Sequence, residues 1–324
     1  MLSQLPKLFD RNYVIGFFLP VVLGAVIVAW SFQGIAGLQP LRTLGVSEHD
    51  VAKLTYLTLI LWVAGIGLMM TNNTQYRILE GYLPPLTWIG PLKTWRRNAR
   101  DALEADYATL REERSRLGDG MPAARLDRLG AVRRKLVTYF PPAAYILPTR
   151  FGNVLRAFES YPGEAYGADG VAVWLRLGAV MPKEFTDALD SARAQVNCVL
   201  NLLYILGGIG LVSLGVSLRH TPWPQVFAAA GAPHASLTWH PLFVAGVAEL
   251  AGAYLAYEAA IVLAVGWGAL VRAAFDCYLP QLAAQLGYAM PATDAARRAF
   301  WKDLSALFVY QLPLKGDRWP AIGK

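Results

Sequence analysis

Four long apolar runs decide what this chain of 324 residues can fold into. They lie at about Tyr13–Trp30, Leu54–Met70, Asn197–Leu218 and Leu242–Val271. A helix rises about 1.5 Å per residue, so about 20 residues cross the ~30 Å hydrocarbon layer of a bilayer. Each run has or approaches that length. Only 16% of the residues are charged while 55% are hydrophobic, and the charges sit between the runs. A soluble domain carries roughly 25% charged residues. The expectation is an all-α integral membrane protein with four transmembrane helices and a cytoplasmic helical hairpin region. The first run is too apolar for too long to be a signal peptide, and no small-x-small site follows Trp30, so it reads as an uncleaved anchor. Pro20 within it predicts a bend.

Lysine and arginine set the orientation, because they accumulate on the cytoplasmic side of a membrane. Lys7 and Arg11 precede the first run, and Arg77, Lys93, Arg96, Arg97 and Arg100 open the long middle segment. Arg272, Arg297, Arg298 and Lys302 follow the fourth, whereas the two short connections hold only Arg42, Lys53 and Arg219. Both termini and the middle segment are therefore expected to be cytoplasmic, in the cell membrane. This gives an N-terminal helical pair (1–70), a cytoplasmic helical region (71–195), a C-terminal helical pair (196–271) and a cytoplasmic helical tail (272–324). The net charge of +7 reads as membrane-facing charge and not as a nucleic-acid footprint, since acids are interleaved with the bases. Cys198 and Cys277 form neither a metal spacing nor a disulfide framework.

Within the middle segment, Pro91–Leu117 places Trp95, Ala99, Leu103, Tyr107, Leu110 and Leu117 at helical spacing, and Gly118-Asp119-Gly120 ends it. A second helix from near Pro122 carries Leu126, Leu129, Val132, Leu136 and Phe140 on one stripe, closed by Pro141-Pro142. The two predict an antiparallel hairpin. A short helix over about 150–161, a turn-rich stretch over 162–170, and a helix from Pro182 into the third run complete the region. In the tail, a helix over about 294–310 puts Phe300, Leu304, Leu307 and Phe308 on one face, suited to packing on the hairpin or lying along the membrane.

Several motifs recur in a known group. Leu8-Phe9-Asp10-Arg11-Asn12-Tyr13 running to Pro20, and Asn73 with Arg77-Ile78-Leu79-Glu80-Gly81-Tyr82, are two of them. The third, Leu147-Pro148-Thr149-Arg150-Phe151-Gly152-Asn153-Val154-Leu155-Arg156-Ala157-Phe158-Glu159, is followed by Tyr166-Gly167-Ala168-Asp169 and Trp174-Leu175-Arg176-Leu177. Over most of its length the chain resembles a family of uncharacterised bacterial multi-pass membrane proteins, in which proline commonly stands where this chain has Leu175. The resemblance implies the architecture and marks residues; it implies no reaction.

Arg150, Asn153, Arg156 and Glu159 step by three along one helix face. Such a face suits an anion or a protein partner, since guanidinium forks fit planar anions; it suits equally a salt-bridge network that locks the segment. Arg77 and Glu80 sit at the membrane-proximal end of the second run, where Glu80 is placed to pair with Arg156. In the fourth run Ala248, Gly252, Ala256, Ala260, Ala264 and Gly268 recur every four residues, a stripe that lets another helix approach closely. Asn197, Asn201, Gly208 and Gly215 of the third run offer the facing surface. Glu258 is expected inside the membrane, where a carboxylate reads as a functional site or an interhelical pair, and Glu249 at the outer interface, hydrated. His49, His220, His234 and His240 fall on the outer side without ligand spacing, so no metal or cofactor is expected.

No nucleophile with a base, phosphate loop or metal motif is present, so the chain is not read as an enzyme. Three functions fit: an oligomeric pore lined by Glu258 and the third run, a membrane-anchored signalling or scaffold protein, and an enzyme on lipid-linked substrates. The partners expected are the lipid bilayer, further copies of the chain and a cytoplasmic protein, with no nucleic acid. The pore is preferred, because an acid and a small-residue stripe exceed what a tether requires.

Overall fold

The computed structural model describes residues 10–32, 51–220, 241–312 and 319, and the elements among these residues are helical, with no strand. Four helices are long and apolar enough to cross a membrane. They are α1 (Arg11–Ser31), α2 (Val51–Glu80), α8 (Lys183–His220) and α9 (Pro241–Gln285). Between and after them lie α3 (Pro91–Leu117), α4 (Ala123–Tyr139), α5 (Arg150–Glu159), α6 (Tyr161–Tyr166), α7 (Gly170–Leu177) and α10 (Asp294–Tyr310). Helix α9, with 45 residues, is about 68 Å long, more than twice what a bilayer needs.

Packing divides the chain into two units, Met1–Gln75 with Ala194–Ala260, and Tyr76–Arg193 with Ile261–Lys324. Hydropathy alone set the fourth run's inner limit at Val271, whereas packing changes hands at Ala260. The reason is that apolar residues of α9 beyond that point, among them Ala264, Ala274, Phe275 and Leu279, are buried in a protein core.

In the first unit, the sequence around Pro20 dictates the local geometry. Proline has no N–H, so the Gly16 carbonyl four residues earlier loses its α-helical donor. The segment Val14–Phe18 is π-helical, with the Leu19 N–H donating to the Val14 carbonyl. Asn201 Nδ2 then donates to the Gly16 carbonyl at 2.8 Å. Tyr13 donates to the Trp62 carbonyl at 3.0 Å and stacks on the same indole, with ring centroids 4.9 Å apart.

Helices α8 and α9 run antiparallel and touch through glycine. A Cβ on Gly210 would meet the Leu250 side chain at 2.9 Å and the Gly246 carbonyl at 3.1 Å; one on Gly246 would meet Leu214 and the Gly210 carbonyl at the same distances. The close approach thus runs through Gly246 and Gly210, and Gly252 of the anticipated stripe lies against Leu206 of α8. Ala248 is exposed, while Ala260, Ala264 and Gly268 are buried, Gly268 against Phe158 in the second unit. A four-residue step turns about 40° past a full turn, so six residues spaced in this way cannot all face one partner. Gly208 and Gly215 likewise have open space beside them.

The second unit contains the expected hairpin of α3 and α4. Leu110, Met121, Val132 and Leu136 form its core, with Leu103, Tyr107 and Leu129 packed around them. Arg125 pairs with Glu113, and Arg128 with Asp106 at 3.0 Å, across the two helices. Trp95, Leu117 and Leu126, at the ends of the anticipated stripes, are exposed. The stretch read as turns holds most of α6, with Pro162 in its first turn, and ends where α7 begins, capped by the Asp169 carboxylate on the Ala172 N–H. Helix α10 packs on α6 and α7: the Asp169 N–H donates to Ser305 Oγ at 2.9 Å, and Arg176 lies over the Phe308 ring at 3.8 Å. Its buried face is Phe300, Trp301, Leu304 and Ser305, one position round from the expected face because Trp301 fills the core.

Candidate functional site

Asn153 of the marked face on α5 serves the fold, as does the Thr149 cap before it. Thr149 caps the helix by accepting from the Gly152 N–H at 2.9 Å, and its hydroxyl donates to the Leu79 carbonyl. Asn153 is fully buried. Its amide donates to the Leu147 and Thr149 carbonyls at 2.8 and 2.7 Å and accepts from the Leu147 N–H at 2.8 Å. That exhausts both donors and gives its oxygen a partner, so Asn153 offers nothing to a ligand. A Cβ on Gly152 would lie 2.8 Å from Glu80 Cα, so the start of α5 sits directly on the end of α2. The two marked motifs, 77–82 and 147–159, meet here.

Four of the marked charges come together at this junction. Arg156 pairs with Glu159 at 3.3 Å and lies over the Tyr145 ring at 4.9 Å. Glu80 is in electrostatic range of Glu159, Arg77 and Arg156. The expected partner of Glu80 thus makes its ion pair with Glu159. Although 49% of the Glu159 side chain is open to solvent, the protein packed behind it raises its carboxyl above the usual range, against the pull of Arg156. Arg150 is half-buried on the same helix and is also engaged.

A larger feature of the second unit is a cavity of about 660 Å³ between α3, α4, α6 and α9. Arg100, Arg133 and Arg272 line it together with Glu104, Glu164 and Asp276, over apolar walls that include Leu136 and Phe140. Arg100 is committed to Asp101 and Glu104, at 3.3 and 3.4 Å, and Arg133 lies over the Tyr107 ring at 5.3 Å. Asp276 Oδ1 accepts from Tyr161 and from Tyr166, both at 2.6 Å. Burial, then those bonds to Asp276, hold the Tyr166 hydroxyl well above its ordinary pKa, so it stays a donor. The Tyr166-Gly167 pair explains itself here: Gly167 has φ +72°, and a Cβ there would meet the Arg298 carbonyl at 2.8 Å. This cavity escaped the sequence because its arginines stand one to a helix. Only the tyrosine–glycine pair signalled it.

One acid of the first unit departs from the place expected for it. Glu249 is 6% exposed, accepts from Ser31 Oγ at 2.6 Å and from Ser213 Oγ at 2.8 Å, and so braces α1 and α8 against α9. The expectation of a hydrated Glu249 is overturned, because both carboxylate oxygens are taken up inside the bundle. Glu258 is half-buried and also engaged. A second cavity, about 690 Å³, lies between α1, α2 and α8; Gly24, Ala64 and Ile209 line it, and no acid does.

Among the described residues no group of three or more His, Cys, Asp or Glu is placed to hold a metal ion. His49, His234 and His240 lie outside those residues, and His220 is the last residue of α8. Cys198 and Cys277 are free thiols. No family model, curated protein or solved structure matches the chain, so its reading rests on the geometry of these sites.

Proposed function

We propose that the chain is an integral protein of the cell membrane that crosses the bilayer four times and works as a membrane-anchored binding protein, its second unit and both termini cytoplasmic. Lysine and arginine flank the inner ends of the runs in the pattern that fixes such an orientation. The part of α9 assigned to the first unit, Pro241–Ala260, is about 30 Å long, a bilayer's hydrocarbon thickness. In that register Glu249 lies mid-membrane, held by two serines as a brace, and Glu258 lies near the inner end.

The observation that carries the binding reading is the 660 Å³ cavity, within the usual range for small-molecule sites and lined by both signs of charge above an apolar wall. It suits a polar molecule of up to nucleotide size bearing an anionic group. The preference for a pore weakens for a physical reason. The cavity between the spans is apolar, and no charged residue lines it.

Two measurements on purified full-length protein test this. Thermal unfolding against a panel of nucleotides and sugar phosphates should reveal one class that raises Tm, with the rise lost in Arg272→Gln and Arg133→Gln. Planar bilayers containing the protein should carry no current above background. A steady conductance from a defined oligomer would overturn the reading in favour of the pore, and a panel without effect would remove its binding site.

A further inference from the structure

We infer that the interface of α1, α2 and α8 in the first unit holds one monovalent cation, bound by side-chain amide oxygens. Asn72, Gln75 and Asn201 are 9%, 7% and 0% exposed. The oxygens of all three amides, Asn72 Oδ1, Gln75 Oε1 and Asn201 Oδ1, are buried without a hydrogen-bond partner. Buried acceptors are almost always satisfied, and each bare one is costly. Three in one seam call for a species that satisfies them together.

The three belong to a single patch. Asn72 Nδ2 faces Asn197 Oδ1 at 3.4 Å, and Asn197 and Asn201 stand one turn apart on α8. Asn72 and Gln75 share a face of α2, and Tyr204, the next turn of α8, donates to the Gln75 carbonyl at 2.8 Å. Turning Asn201 or Gln75 over does not remove its bare oxygen. Asn201 must keep its nitrogen toward the Gly16 carbonyl, which Pro20 leaves without a donor. Thr71 spends its hydroxyl proton on the Gly67 and Leu68 carbonyls, so its oxygen accepts from Gln75 Nε2 and holds that amide in place.

The chemistry selects the ligand. One water donates two hydrogen bonds and leaves the third oxygen bare. A cation takes oxygen ligands in number. Calcium and magnesium sites are built with carboxylates, and this patch is made of neutral amides, so it suits an alkali cation such as sodium or potassium.

The test is thermal unfolding of the full chain in detergent at equal ionic strength in sodium, potassium or choline chloride. Wild type should melt on the order of 5 °C higher in one alkali chloride than in choline. In Asn72→Leu and Gln75→Leu that difference should vanish, while both variants still unfold cooperatively in choline. Identical melting of wild type in all three salts overturns the inference. So does an alkali shift of wild-type size in both variants, which would mark a general salt effect.

Discussion

Asn153 and Asn201 are both completely removed from solvent, one at the start of α5 and the other between α1 and α8. Asn153 closes on its own chain within six residues, and every one of its polar atoms is bonded. Asn201 reaches across 185 residues to a carbonyl orphaned by a proline, and its oxygen is left over. The difference lies in what each amide was recruited to satisfy. A loop offers the amide both donors and acceptors, whereas a defect in a helix offers acceptors alone. A closed amide is a clamp. An open one is a place for something else to bind.

The comparison breaks first at Asn153. Asn153→Leu strips their partner from the Leu147 N–H and the Leu147 carbonyl inside a packed core, while the Thr149 carbonyl keeps the backbone N–H of residue 153 at 3.2 Å. Each buried group left bare costs about 1–3 kcal/mol, so the loss should reach about 2 kcal/mol or more. Chemical unfolding in mild detergent measures it. A loss under about 1 kcal/mol would show that the loop finds other partners and that Asn153 is no clamp. Gly152→Ala probes the same junction from the other side, since its Cβ meets backbone of Glu80 at 2.8 and 2.9 Å. Overpacking of this kind costs about 1–3 kcal/mol, read by the same unfolding curves.

Much of the helical layout was legible because proline and glycine punctuate it. Pro91, Gly118-Asp119-Gly120 and Pro141-Pro142 bracket α3 and α4 in the sequence as they do in the fold. The same residues misled at 162–170, where Pro162, Gly163 and Gly167 read as turn although Pro162 opens α6. Proline is at home in the first turn of a helix, and the cap of α7 comes from Asp169, a residue without periodicity around it. The Arg150–Glu159 face was legible as a set of neighbours, but not as a junction. That depends on Glu80 and Gly81, remote in sequence. Glu249 was misplaced because α9 outruns a bilayer, so hydropathy fixes no register along it. The three cavity arginines carry no local signal at all.

The Asn201 side of the comparison sharpens in a double-mutant cycle. Asn201→Ala removes the donor to the Gly16 carbonyl, and Pro20→Ala restores a backbone N–H in the position to replace it. If the amide is there to repair the proline, Asn201→Ala should cost about 1 kcal/mol less in the Pro20→Ala background than alone. Strict additivity of the two changes, measured by unfolding of all four proteins, would separate Asn201 from the π-helical segment.

The smallest effect tests whether the junction beneath Asn153 is electrostatically settled. Glu159 has its carboxyl raised by the packed protein behind it, with Arg156 pulling the other way. A carboxyl raised in the folded state binds its proton more tightly there than in the unfolded chain, where glutamate titrates near pH 4.3. The stability this contributes is full below about pH 4.3 and is lost as pH rises through the folded value. Because half the side chain meets solvent, screening keeps the effect small. Between pH 5 and pH 7.5 the wild type should therefore lose slightly more Tm than Glu159→Gln, which has no proton to lose. The opposite order would mean that the Arg156 pair dominates and that the junction prefers Glu159 charged.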